Sequence, residues 1–352
     1  MLAVRLAALA LAVAALVTGI AGGLLRAGWN VPAATVAGQH ALLLISGFLG
    51  TVISLERAIA LGRPAAFAAP VLAAIGTALL LTGSLALALA SWCAASVALL
   101  LASIAIVGRQ SAPHTWMLLF AAALWVAAAL RALAVGIDDA TIVWGFLFLV
   151  LTIAAERLEL TRLMRRRRSA LPLLGAITGL LVVAGLAIPL AREIALRAFG
   201  TGLCALAIWL AVFDLARCTI RTEGFARYAA FALLGGYAWL FVAGCAWIAL
   251  SAGVTAARDA ALHALALGFV VTMIFAHAPI VVPVIARTRL AYRPAFYVPV
   301  VLLHASLLVR LVPVDASVGL RAIGAAGNAF AIAVFAVTLV TSLVAARRRG
   351  GS

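Results

Sequence analysis

Five histidines, at positions 40, 114, 263, 277 and 304, are the residues of this chain best suited to chemistry. At least three stand inside long apolar runs, where an ionisable side chain is costly and marks a functional site by default. A neutral imidazole keeps one nitrogen lone pair, which is what a metal ion or a haem iron takes up. His40 and His263 each lie in the outer third of an apolar segment, a few residues after it begins. At 1.5 Å per residue both sit roughly 9–13 Å from the middle of a bilayer. Two imidazoles at equal depth on facing helices match the axial ligation of haem, with apolar helices supplying a dry slot for the macrocycle. Gly47 and Gly268 would let a flat ring approach the backbone. The alternative for any single membrane histidine is a hydrogen bond between helices.

His277 follows His263 by fourteen residues, which returns it to nearly the same helical face about 21 Å further on. Pro279 and Pro283 then interrupt the hydrogen-bond ladder, a break that survives only inside protein or beside a cavity. His304 lies near the middle of the next apolar segment. A short linker makes these two segments antiparallel neighbours. His277 and His304 are therefore candidates for a second site, holding copper or a second haem, with Met273 or His114 completing the ligand set. Arg131 and Arg310 lie near the outer ends of their segments and are candidate contacts for haem propionates; snorkelling to the interface is the other reading. Glu56 and Glu156, each followed by Arg, read as interfacial ion pairs.

The elements that must position these residues follow from composition. Of 352 residues, 67% are hydrophobic and 10% charged, with mean hydropathy +1.24. Soluble domains carry about 25% charged residues, so a soluble enzyme, a nucleic-acid-binding protein and a disordered scaffold are excluded. The net charge of +16 therefore has to be read along a membrane. A spanning helix needs about 20 apolar residues, and cuts at charges, Pro and Gly give twelve segments. They are 6–25, 36–55, 65–83, 86–108, 113–135, 139–156, 170–190, 197–216, 228–250, 259–285, 295–313 and 318–345. The first is read as a retained span rather than a cleaved signal. The expected fold is an all-α polytopic membrane protein in the lipid bilayer, a single transmembrane domain over 1–352.

All 26 basic residues are Arg, and twelve spans place nineteen of them on the side shared by both termini. Cytoplasmic linkers are rich in basic residues, so both termini are expected in the cytoplasm. The run Arg165–Arg168 reads as part of that topology signal. The four cysteines are scattered without a CxxC spacing. Spans 2, 6 and 10 share Gly-Phe pairs, and spans 2 and 10 share a His ahead of the pair. This suggests three four-helix units at 1–110, 111–223 and 224–352.

At Arg258-Asp-Ala-Ala-Leu-His-Ala-Leu-Ala-Leu-Gly-Phe-Val-Val-Thr-Met-Ile-Phe-Ala-His277, followed by Leu302-Leu-His-Ala-Ser-Leu-Leu-Val-Arg310, the sequence resembles the NnrS family. The resemblance is clearest over residues 258–345 and includes Gly327-Asn328. It implies a twelve-span protein of the bacterial inner membrane, containing haem of b type and copper and linked to the nitric oxide response. More distantly the chain is similar to subunit I of haem-copper oxidases, whose low-spin haem ligands come from spans 2 and 10, where His40 and His263 stand here. Spans 6 and 7 hold no histidine, so an oxygen-reducing haem-copper centre is not expected. Two other classes fit the pattern: a twelve-span transporter with the proline-broken span 10 beside its path, and a non-catalytic membrane subunit of a redox complex.

Overall fold

The computed structural model describes residues 2–31, 34–161, 168–286, 288–311 and 318–350. Lipid offers the backbone no hydrogen-bond partner, so a spanning chain must satisfy its own amides. Among the described residues the secondary structure is all helical, with no strand. In chain order the apolar helices are α1 (Leu2–Arg26), α2 (Ala37–Leu61), α3 (Pro64–Leu81), α4 (Leu85–Arg109), α5 (Pro113–Val135), α6 (Asp139–Leu160), α7 (Ala170–Ala187), α8 (Arg192–Phe213), α9 (Gly224–Ser251), α10 (Ala257–Ile285), α11 (Pro294–Arg310) and α12 (Gly319–Arg347). Among the described residues eleven helices are long and apolar enough to cross a membrane; α11 is shorter. Each expected apolar segment carries one of these helices. Arg162, Arg165, Arg166, Arg167 and Arg287, which contribute to the Arg asymmetry, lie outside the described residues.

The outer faces of the helices are apolar. Val183 is 67% exposed, Leu101 62% and Phe330 61%. Such faces are an aggregation liability in water and ordinary in hydrocarbon. The chain is thus a polytopic protein of a lipid bilayer.

Internal contacts divide the chain into two compact units, Met1–Glu156 and Arg157–Ser352. Small residues set the packing in both, as is usual where lipid supplies no hydrophobic drive between helices. In the first unit the indole of Trp92 on α4 lies over Gly76 of α3, where a Cβ would come within 2.6 Å of the ring. Its Nε1 donates to the carbonyl of Ala73 at 3.0 Å. In the second unit α8 and α9 meet at Gly200 and Gly244, and a Cβ on either would stand 2.6 Å from the other's carbonyl oxygen. Cys204 and Cys245, scattered in sequence, come within 3.9 Å of each other at this seam. Helices α11 and α12 close on one another where Gly327 abuts Ser306.

Two helices depart from α geometry. In α2 residues Leu43–Gly50 form a π-helix, and in α10 residues Ala264–Val271 do so. Both segments are eight residues long, with Gly at the fifth position (Gly47, Gly268), Phe at the sixth and Thr immediately after the eighth (Thr51, Thr272). Each glycine admits a bulky neighbour. A Cβ on Gly47 would lie 2.8 Å from Thr77 Oγ1, and one on Gly268 would lie 2.5 Å from the Trp239 side chain. The π turns thus sit where a neighbouring helix approaches closely.

The α8–α9 seam gives a first test. Gly244→Leu forces backbone apart and is expected to destabilise the protein by about 1–3 kcal/mol, the usual range for overpacking. Gly175→Leu on α7, where a Cβ meets nothing within 4 Å, should melt like the parent chain in detergent. Equal melting temperatures for the two variants would count against the seam.

Candidate functional site

In the first unit His40 stands three residues ahead of the π segment of α2, at the end of the 3-10 turn Ala34–Gln39. Its Nδ1 is 3.3 Å from the carbonyl oxygen of Ala37. A proton on Nδ1 would serve that carbonyl and leave the lone pair on Nε2. Beside the same stretch of helix lies a small, mostly apolar crevice, lined among others by Ile45, Ser46, Trp92, Trp125, Ala129 and Gly145. Trp125 holds its place by donating to Ser46 Oγ at 3.1 Å and by stacking on Phe148.

Arg131, a candidate propionate contact, is held by Asp138 instead. Its Nε lies 3.0 Å from both carboxylate oxygens, Nη2 makes a further bond to Oδ2, and the guanidinium sits over the Trp144 ring. At the other end of this unit Arg57 bonds Glu156 at 2.5 Å and approaches Glu56 at 3.9 Å. The expected Glu–Arg pairing is present, but its shorter arm runs between α2 and α6 rather than between neighbours in sequence. His114 is buried near the start of α5.

The second unit holds the denser polar set. His263 stands one residue ahead of the π segment of α10. Its Nδ1 lies 3.0 Å from the carbonyl oxygen of Asp259 and 3.1 Å from that residue's carboxylate. A carboxylate on the non-ligating ring nitrogen is the usual second partner of a metal-bound histidine, fixing tautomer and orientation. Arg310 at the end of α11 grips Asp259 with Nε and Nη2, both at 3.1 Å, and its Nη2 is 3.0 Å from His263 Nε2. Arg310 therefore caps the nitrogen that a metal would need. Arg321 on α12 adds a guanidinium 4.0 Å from Asp259.

Halfway along, His304 of α11 lies with Nε2 3.3 Å from Thr272 Oγ1, in the first turn after the π segment. The imidazole fills the gap left by Gly235 on α9, where a Cβ would collide with its Cε1. Two residues nearer the end of α11, the Asn328 amide oxygen of α12 accepts from Ser306 Oγ at 2.7 Å and from Leu307 N–H at 3.2 Å, while its nitrogen donates to the Gly324 carbonyl at 3.2 Å.

At the far end of α10, His277 Nδ1 donates to the carbonyl of Met273 at 2.7 Å, and its Nε2 is 3.4 Å from Arg157 Nη1. The Met273 side chain points at Gly236 of α9. Arg157 and Asp214 form a two-armed ion pair at 2.8 and 2.9 Å, with side chains 5% and 0% exposed. The buried Tyr237 hydroxyl borders this pair and interacts with both Asp214 and Arg157. Asp214 reads in sequence as the start of a polar linker. Its own oxygen also accepts the amide of Ala216, so the carboxylate is turned inward by a local turn that composition does not reveal. His304 thus meets α10 at Thr272, five residues before His277 and roughly 7 Å along the axis. Among the described residues no three His, Cys, Asp or Glu side chains gather closely enough to hold one metal ion.

Two consequences can be measured. Removing one member of a buried ion pair leaves an uncompensated charge, at a cost of about 3–5 kcal/mol. Asp214→Ala should therefore lower the melting temperature sharply, and combining it with Arg157→Met should restore much of the loss. Asp138 lies between the ends of α5 and α6, and its bond to Arg131 holds the carboxyl well below the usual carboxylate range. A lowered folded-state pKa contributes stability above the ordinary value of about 3.9 and loses it as pH falls further. Acidifying from pH 5 to pH 3 should thus cost the parent chain more melting temperature than Asp138→Asn.

Comparison with curated proteins and with solved structures finds no match to the chain. Comparison with protein families finds one over residues 5–344, nearly the whole length and both helical units. By that match the chain belongs to the family described as a domain of unknown function, DUF8744.

Proposed function

We infer that this protein binds haem in the bacterial inner membrane, in the manner the resemblance to NnrS implies, with His40 and His263 as the axial ligands. One observation carries the reading. The two histidines precede, by three residues and by one, π segments with the same Gly-Phe-x-x-Thr register, and each has Nδ1 beside a carbonyl of the preceding turn. In His263 that engagement makes Nε2, now faced by Arg310, the nitrogen that would ligate. π turns recur at functional sites because they interrupt regular packing.

The donor chemistry suits iron: two imidazoles, one steadied by the Asp259 carboxylate. Arg310 must leave His263 Nε2 for that nitrogen to ligate, and it then becomes available to a carboxylate. Arg131 would be available only by exchanging Asp138. Haem held there would supply binding of nitric oxide or a metal-nitrosyl species, or electron relay. Copper at His277 and His304 would have to displace Arg157 and Thr272 from the ring nitrogens they now face. The excess of Arg on one side supports twelve crossings with both termini cytoplasmic.

A transporter is the second reading. It is favoured by the division into two compact units that each contain one π-distorted helix, since interrupted helices commonly frame a substrate path.

The deciding experiment is an absorption and pyridine-haemochrome spectrum of protein purified from haem-replete cells, with metal analysis. A low-spin haem signal is expected. His40→Ala and His263→Ala should each abolish it, while His304→Ala should spare it. A colourless, metal-free preparation would falsify the haem reading and leave the transporter.

A further inference from the structure

Three guanidinium groups of the first unit, from α1, from α4 and from the turn itself, gather at the turn between α2 and α3. Arg5 of α1 lies over the Phe67 ring, 5.5 Å from its centroid, and its Nε is buried without a hydrogen-bond partner among the described residues. Arg109, the last residue of α4, donates from Nη1 to the Leu61 carbonyl at 2.7 Å. Arg63 stands between these contacts, exposed, just after the left-handed Gly62 that ends α2. The path from Leu61 to Phe67 spans no more than about 18 Å, because it closes with the 3-10 turn Pro64–Phe67. The nearby carboxylates, Glu56 and Glu156, both face Arg57, at 3.9 and 2.5 Å. Among the described residues no carboxylate pairs with Arg5, Arg63 or Arg109. A topology signal needs basic residues only on one side of the bilayer. It does not require uncompensated guanidinium groups from positions as far apart in sequence as Arg5 and Arg109 to meet at one turn.

We propose that this turn holds the headgroup of an anionic phospholipid. A guanidinium carries five N–H donors in a planar fork that matches two phosphate oxygens, and Arg109 spends one of them on Leu61. The ends of spanning helices lie at headgroup depth. Trp116, at the start of α5, marks that level: it is 45% exposed and donates its indole N–H to Ser111 Oγ at 3.1 Å, as aromatic residues do at a membrane interface. A face for an acyl chain adjoins Arg109. Val97, Leu101 and Ile104 recur at helical spacing on α4, all exposed. Gly108 continues the same face, with nothing within 4 Å of the place a Cβ would take. From Val97 to Arg109 the helix rises about 18 Å, close to the depth of one leaflet of a core about 30 Å thick. Arg63 and Arg109 hold the phosphate, and Arg5 adds a third positive charge beside them. A zwitterionic lipid would bring its own cationic amine into this group and be repelled, so charge selects the anionic headgroup. No histidine takes part, and the proposal stands apart from haem binding.

The test titrates the full chain in detergent with phosphatidylglycerol, phosphatidylcholine or glycerol 3-phosphate and counts adducts by native mass spectrometry. Phosphatidylglycerol should saturate at one molecule per chain, well below the concentration at which phosphatidylcholine binds. Glycerol 3-phosphate, which has the headgroup charge without acyl chains, should give no adduct at that concentration. Arg63→Gln, on an exposed turn, should weaken phosphatidylglycerol about fivefold, the usual worth of one basic residue at a membrane surface. Arg63→Gln/Arg109→Gln should weaken it about 25-fold on the same scale. Arg217→Gln/Arg221→Gln removes the same charge from exposed positions after α8 and should bind like the parent. The proposal is overturned if the two phospholipids bind alike, if the Arg63/Arg109 variant binds like the parent, or if the Arg217/Arg221 variant loses as much. Glycerol 3-phosphate binding as tightly as the lipid would overturn it too, and assign the turn to a free phosphate ester. Arg63→Gln should leave any haem absorption unchanged, so loss of lipid and loss of haem report separately.

Discussion

Hydrocarbon supplies no hydrogen bond, and most of what is seen here follows from that constraint. The backbone answers it by forming helices, and the buried side chains answer it by finding one another. Arg157 and Asp214, almost wholly removed from solvent, would each be very costly alone; as a two-armed pair with one further backbone donor they are tolerated. The same holds for Asp259, which is shared by His263 and two guanidinium groups. Three tryptophans follow it, since Trp92, Trp125 and Trp209 each deliver the indole N–H to an oxygen of another helix, whereas the buried Trp247 Nε1 meets no acceptor among the described residues.

The second determinant is close approach. Where helices have little hydrophobic reason to associate, contact energy comes from van der Waals packing, and glycine permits the shortest distances. The two π segments occur at such points, with Gly47 and Gly268 facing side chains that leave no room for a Cβ. A π turn shifts every following residue around the helix axis. In α10 this places Thr272 toward α11 while His277 reaches Arg157. Polar residues at different depths thus come to serve different partners.

The junction between the units shows the two constraints acting on consecutive residues. Glu156 bonds Arg57 within the first unit, and Arg157 bonds Asp214 within the second. A Glu-Arg dipeptide in sequence invites pairing of the two neighbours, yet side chains at adjacent helical positions point apart by about 100°. Each therefore takes a partner from another helix.

Sequence alone determined the solvent and the class of structure. Long apolar runs cannot be anything but spanning helices when the backbone has no other donor or acceptor available, and α5 and α6 begin where their runs begin. It also singled out the histidines, because an ionisable group in such a run stands out whatever its neighbours are. The Gly-Phe-x-x-Thr repeat was present to be read, although the unequal spacing to His40 and His263 obscured it. What tertiary structure alone decided is pairing and helix type. Nothing in the local sequence says that Asp214 turns inward to Arg157, that Asp259 is claimed by Arg310, or that eight residues of α2 and α10 wind as π rather than α. Those outcomes depend on which helix lies opposite, at what distance, and on the rule that no charge is left unpaired in lipid.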